Sequence, residues 1–261
     1  MGFSASWLAL REPADLAARN VPLLRSAVAS AGPDPVILDL GCGTGATMRA
    51  FAPSLDERAQ WRLVDNDEEL LQRAVSAGGN VETVQADLTC LDSLPMEGVT
   101  LVTASALLDL VSETWLLDLA ERLNAPIYAT LIYDGEMKWE PEHPNDAAMT
   151  AAFNAHQLTD KGFGPALGPN AASRAQEIFE QAGFDVTSVA SPWHLAPEMS
   201  MLQRQLTDGI ARAAEEAGAT EAKAWGDARR ADAARSTCIV GHRDVLAIPM
   251  NRRSETAHAT G

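Results

Sequence analysis

The chain has 261 residues, 46% of them hydrophobic, and a formal net charge of −16. This length suits one large domain with insertions, and the apolar content excludes a disordered chain. The acidic balance disfavours a grip on nucleic-acid phosphates and fits a protein that acts on a small molecule.

The first residues, MGFSASWLALREP, lack the basic start and long apolar core of a secretion signal. MGFSAS meets a myristoylation pattern, which short sequences meet by chance. Cys42, Cys90 and Cys238 are odd in number and widely spaced, with neither zinc nor disulfide spacing, so a reducing, cytoplasmic setting is expected. No apolar run approaches a membrane span, and no membrane partner is expected.

Residues 4–30 carry apolar side chains at helical spacing, with Pro22 expected to divide the stretch in two. A turn, Gly32 to Pro35, leads into VILDLGCGTGATMRAF, Val36 to Phe51. This reads as a buried strand, a turn rich in glycine (Gly41, Gly43, Gly45) and a helix. Such a unit brings backbone N–H groups and a helix start close to a ligand. Two readings fit the spacing. Gly41-x-Gly43-x-x-Ala46 fits a dinucleotide fingerprint. Asp39-x-Gly41-x-Gly43-x-Gly45 resembles motif I of the class I S-adenosylmethionine-dependent methyltransferases. Asp39 favours the second, because a carboxylate there repels a pyrophosphate but pairs with the ammonium of a methionine moiety.

The second strand, Gln60 to Asp65, ends in a carboxylate placed to accept both ribose hydroxyls of a nucleoside. Asp65 suits equally the role of cap for the helix Glu68–Ala77, unless Asp67 takes it. The third strand, Val81 to Ala86, leads to Asp87 and Leu88. In the resembled family an acidic residue here accepts from the adenine amino group and its neighbour packs on the ring. The resemblance extends the cofactor-binding set to Cys42, Asn66 and Ser105, and implies S-adenosyl-L-methionine as cofactor.

The fourth strand, Val99 to Ser105, precedes Asp109. Asp109 is the one ionisable residue between Val99 and Val111, fit to orient an acceptor, act as a base or cap the next helix. The segment lacks the Asn/Asp-Pro-Pro-aromatic signature of nucleic-acid methyltransferases, so base methylation is disfavoured. The helix Glu113–Leu123 should bury Trp115, Leu116, Leu119 and Leu123. The fifth strand, Pro126 to Tyr133, ends the regular alternation.

Residues 134–170 read as an insertion with one helix, Asp146–Gln157. After a helix at Ala171–Ala182 and a strand at Asp185–Ala190 come two further helices, about Pro197–Ala217 and Thr220–Arg235, and a last strand within Thr237–Pro249. Gly241 suggests a bulge or tight turn there. The tail from Asn251 reads as loose.

The alternation of strands and helices implies an α/β fold, doubly wound on a mostly parallel sheet. The resemblance implies seven strands, Rossmann-like, with the last strand antiparallel beside the fifth and sixth. The N-terminal helices (1–34), the cofactor-binding core (35–133) and the cap insertions (134–170 and 193–235) then form a single domain, with the insertions over the cleft at the strand ends. Methyl transfer needs little beyond positioning and, for some acceptors, removal of a proton. Asp109, Tyr133 and His194 are candidate bases, with Asp134, His143 and His156 close by. In DKGFGPALGPNAA, Asp160 to Ala172, Lys161 and flanking glycines suit an anionic group, with His156 a further substrate-side candidate. EPEHP, Glu140 to Pro144, has no strong metal spacing, and no metal is expected. The expected activity is O- or N-methylation of a small-molecule acceptor. An NAD-type oxidoreductase and a non-catalytic partner protein of the same fold are the alternatives.

Overall fold

The computed structural model describes residues 3–76 and 79–250. Met1 and Gly2 of the myristoylation pattern, the end of the helix predicted to reach Ala77, and the tail from Asn251 lie outside the described residues.

Two helices open the chain, α1 (Ala5–Ala18) and α2 (Val21–Ser30). The break falls at Arg19–Asn20 rather than at Pro22. Asn20 caps α2 by accepting from Leu23 N at 3.0 Å. Pro22 sits in the first turn, where a missing N–H costs nothing. Then follow β1 (Val36–Leu40), α3 (Ala46–Phe51), β2 (Gln60–Asp65), α4 (Glu68–Val75), β3 (Asn80–Gln85), β4 (Leu101–Ser105) and α5 (Glu113–Arg122). The second half contains β5 (Ile127–Glu140), α6 (Asp146–Gln157), α7 (Ala171–Gln181), β6 (Phe184–Ala190), β7 (Trp193–Leu195), α8 (Ser200–Glu216), α9 (Ala222–Asp232) and β8 (Thr237–Pro249).

The sheet order is β3-β2-β1-β4-β5-β8-β6, with β7 also paired to β8. Strands β1 to β5 are parallel to one another, and β8 runs antiparallel between β5 and β6. Helices cover both faces because β1 alternates sides. Leu38 and Leu40 join one core with Trp115, Leu116, Ile178 and Phe179, while Ile37 joins the other with Phe51, Leu63 and Tyr128.

Strand β5 does not end at Tyr133. It continues to Glu140, paired with the first half of β8. The apolar pattern breaks at Asp134–Glu136 because the register shifts there, a bulge in β5 facing Gly241 across the ladder. The irregularity is thus in β5, and Gly241 is needed because the Asp134 carboxyl lies where any Cβ would stand. The start of the expected 134–170 insertion is therefore sheet. This extension and β7 carry a third core, in which Trp139, Trp193, Leu202, Ile210 and Trp225 bury the inner faces of α6, α8 and α9. At its base, buried Arg229 pairs with Asp146, which also accepts from Trp225 Nε1 at 2.8 Å. Among the described residues no helix is long and apolar enough to cross a membrane.

Candidate functional site

A cleft of about 370 Å³ opens at the carboxyl ends of β1 to β4. The glycine turn forms its floor. Gly41, Gly43 and Gly45 all have positive φ. A Cβ on Gly43 would stand 3.0 Å from Leu8 Cδ1, so the turn and α1 approach as closely as backbone allows. Gly41, Cys42 and Gly43 line the cleft, whereas Gly45 sits behind it as the left-handed start of α3. Cys42 N donates to Val64 O at 2.9 Å, and burial pushes its thiol well up.

Asp65, Asn66, Asp87 and Leu88 form one wall. Asp65 accepts from Gly43 N at 2.8 Å and from Asp67 N at 3.0 Å, one bond on each oxygen. Each oxygen keeps a lone pair for a further donor. Asp67, not Asp65, caps α4, accepting from Glu69 N and Leu70 N. Asp87 is held by Thr89 N at 2.9 Å, and that bond keeps its carboxyl below the usual range. Leu88 is buried, and its carbonyl accepts from Trp115 Nε1. Two carboxylates beside apolar surface can take the hydroxyl and amino groups of a nucleoside.

Asp39 lies beneath this floor and does not reach the wall. It is 1% exposed, and its cross-strand neighbour Thr103 donates to Oδ1 at 2.7 Å. Its Oδ2 has no partner among the described residues. Burial pushes Asp39 up to about 7, against the pull of Thr103 and Arg19. Arg19 is itself buried, donating to Thr130 Oγ1 at 2.8 Å and to Ser105 Oγ at 3.2 Å. Ser105 carries this network to the cleft surface.

The opposite wall is made by Leu8, Arg11 and Asp15 of α1, by Ala106, Leu107 and Leu110, and by Lys161 to Phe163. Lys161 does reach the cleft. Its ammonium, however, contacts His156 O at 3.0 Å, His156 Nδ1 at 3.1 Å and Thr159 Oγ1 at 3.0 Å, which occupies its three donors. His156 stands behind the wall and bonds Glu216 through Nε2 at 2.9 Å.

None of the three candidate bases lines the cleft. His194 is exposed on β7, because β7 alternates and buries Trp193 and Leu195 instead. Tyr133 is buried and donates to Asn154 Oδ1 at 2.7 Å, and burial raises its hydroxyl far above its ordinary range. Asp109 is buried behind Leu110, with Oδ1 unpartnered, and burial pushes it up to about 6. No residue of 193–235 lines the cleft either. Asp134 lies over Gly241 in the bulge, and His143 helps cap α6 through its backbone bond to Asp146.

Sequence reasoning missed Arg11 and Asp15. Their four-residue spacing reads as an ordinary surface pair on a helix, and only their burial against Trp193 of β7 marks them as part of a site.

The profile of a methyltransferase-domain family matches residues 37–125. No curated protein matches the sequence. Among solved structures, the chain is similar to a cyclopropane synthase of Mycobacterium tuberculosis, at 14% identity over 87% of this chain and 83% of that one, with a TM-score of 0.47. It is similar to a geranyl diphosphate methyltransferase in complex with S-adenosylmethionine, at 11% identity over 88% and 84%, with a TM-score of 0.48. A third likeness is to a Haemonchus contortus phosphoethanolamine N-methyltransferase in complex with phosphomonomethylethanolamine and S-adenosylhomocysteine, at 13% identity and a TM-score of 0.46. That match covers 88% of this chain, which spans about half, 53%, of that protein.

Proposed function

We propose, starting from the match of residues 37–125 to a methyltransferase-domain family, that the enzyme is a class I S-adenosylmethionine-dependent methyltransferase that methylates oxygen or nitrogen on a small-molecule acceptor. Its cofactor is S-adenosyl-L-methionine, which supplies a methyl group activated on a sulfonium. The residues present fit that group. The glycine turn leaves room that side chains would fill, Asp65 and Asp87 offer lone pairs to hydroxyl and amino groups, and Asp39 holds an unpartnered oxygen beneath the turn. Asp65 would hold the ribose, Asp87 and Leu88 the adenine, and Gly41 to Gly43 the backbone-facing side. Asp39 would act through the floor of the turn, since it stands behind the wall.

The single observation carrying this reading is convergence: the turn after β1 and the carboxylates after β2 and β3 line one cleft. The chain's own work is to position the acceptor in line and to exclude water. Helix α1 and the segment Lys161–Phe163 close over the far side, and their closure on ligand is part of the proposal. Asp109 is sealed behind the cleft and does not reach an acceptor, so we propose that the chain positions the acceptor and that none of the three candidate bases takes its proton. Tyr133 is committed to Asn154 and His194 faces away. Lys161 and His156 contribute by holding their loop against the cleft. The net charge of −16 supports a small molecule over nucleic acid, and three free cysteines support a cytoplasmic setting.

The test is methyl transfer from labelled S-adenosylmethionine to a panel of small alcohols, phenols, amines and acids, with products identified by mass spectrometry. A methylated small molecule is the expected product. Labelling of RNA or protein alone would overturn the reading.

A further inference from the structure

The wall opposite the cofactor residues contains a built cation. Arg11 is 8% exposed, and its guanidinium is fixed from two sides. Its Nε donates to Asp15 Oδ2 at 2.9 Å and its Nη2 to Asp15 Oδ1 at 3.1 Å. Its Cζ lies over the Trp193 ring, 4.9 Å from the centroid. Trp193 in turn donates through Nε1 to Asp15 Oδ1 at 3.0 Å. Asp15 therefore receives three N–H groups, although its burial outweighs them and holds its carboxyl above the usual range.

This arrangement uses only one side of the guanidinium. A guanidinium offers five N–H groups in a planar fork. Asp15 takes the Nε and Nη2 side, which leaves the Nη1 and Nη2 end. Nη1 has no hydrogen-bond partner among the described residues and is not among the sealed, unpartnered polar atoms, while Arg11 lines the cleft. The free end of the fork thus opens to the cleft. Lys161, the other cation in the wall, has all three donors occupied.

The topology says which ligand the fork meets. Asp65 and Asp87 follow β2 and β3, on one side of β1. Arg11 stacks on Trp193 of β7, which pairs with β8, on the far side of β4 and β5. Beside it, behind the wall, His242 of β8 packs against the Trp193 ring at 5.1 Å between centroids, with Nδ1 unpartnered.

We propose that the free fork of Arg11 binds a carboxylate or phosphate group on the acceptor, so that the enzyme takes small anionic acceptors. Placing Arg11 on the acceptor side rests on the cofactor occupying the glycine-turn half. A planar, pre-organised fork matches a carboxylate or phosphate bidentately and needs no rearrangement on binding. The overall acidity of the chain makes this fork a selective element, because like charge elsewhere repels anions that lack a seat.

The test uses ligand-observed NMR with acetate, benzoate and inorganic phosphate against acetamide and benzamide, on the protein with and without S-adenosylhomocysteine. Wild type should bind the anions at least about tenfold more tightly than the amides. Arg11→Lys should reduce the preference, and R11Q/D15N, which removes both buried charges together, should abolish it while S-adenosylhomocysteine affinity stays unchanged. Equal binding of anions and amides by wild type, or an intact preference in R11Q/D15N, would overturn the proposal. So would a parallel loss of S-adenosylhomocysteine affinity, which would assign the fork to the cofactor's carboxylate. If wild type does not bind S-adenosylhomocysteine at all, the methyltransferase reading of the cleft fails, and the anion preference measured without it still decides the role of Arg11.

Discussion

The two walls of the cleft are built by opposite means. The wall proposed to hold the cofactor comes from three short stretches at or just past the ends of strands of one parallel sheet: Gly41 to Gly43, Asp65 to Asp67, and Asp87 to Leu88. Its groups are set by backbone, through turns and bonds such as Gly43 N to Asp65. The wall proposed to face the acceptor is assembled from α1, from the residues after β4, and from the loop around Lys161, and it is supported from behind by β7 and β8. Its groups are set by side chains that meet across long sequence separations. Under the proposed function the first design would fix the cofactor, and the second could change with the acceptor while the sheet stays as it is.

The largest expected effect breaks the cofactor wall alone. Asp65→Ala should weaken S-adenosylhomocysteine binding by about 1–3 kcal/mol, because the hydroxyl partner and the brace on the glycine turn are lost together. Calorimetry reads this directly. Unchanged affinity with a lowered melting temperature would show that Asp65 only braces the turn.

The next effect separates Asp39 from His242 by pH. Burial holds Asp39 at about 7 against an ordinary 3.8, so between those values the folded protein keeps a proton that the unfolded chain has released. Stability from this group is present at low pH and is lost as pH rises through about 7. Asp109, at about 6, acts in the same direction. His242 acts in the opposite one. Burial, aided by Arg11, lowers it to about 3 from 6.5, so in that window the unfolded chain takes a proton that the fold refuses, and stability falls as pH falls. In urea unfolding of the ligand-free protein, Asp39→Asn should gain about 1–2 kcal/mol at pH 8 relative to pH 5, compared with wild type. His242→Gln should recover stability on the acid side only. The same pH slope in both variants would contradict the opposite burial effects assigned to Asp39 and His242.

The smallest effect concerns the support behind Arg11. Trp193→Phe keeps an aromatic ring under the guanidinium but loses the donor to Asp15, which should cost about 1 kcal/mol of stability. S-adenosylhomocysteine affinity should stay within about twofold, since an interaction this size at one wall leaves the other in place. A larger loss of affinity would mean that the walls are coupled.

The same contrast explains what was legible in the sequence. Whereas the placement of the last strand rests on the family resemblance, the strands ending at Leu40 and Asp65 and the helix Asp146–Gln157 follow from local pattern, because apolar runs, glycines and caps act within a few residues. So do Asp65, Asp87 and Leu88 at the wall. The extension of β5 was not legible, since Asp134-Gly135-Glu136 looks like a loop until β8 pairs on either side of it. Nor was the seat of His194, where a three-residue strand decides which side chain turns inward. Arg11 and Asp15 could be recognised only once Trp193, far along the chain, was seen to cover them.

The most direct test is calorimetric titration of the wild-type protein with S-adenosylhomocysteine, repeated with NADH present. The predicted result is one site in the micromolar range, about −8 kcal/mol, with no competition from NADH. Tight NADH binding with no heat from S-adenosylhomocysteine would contradict it.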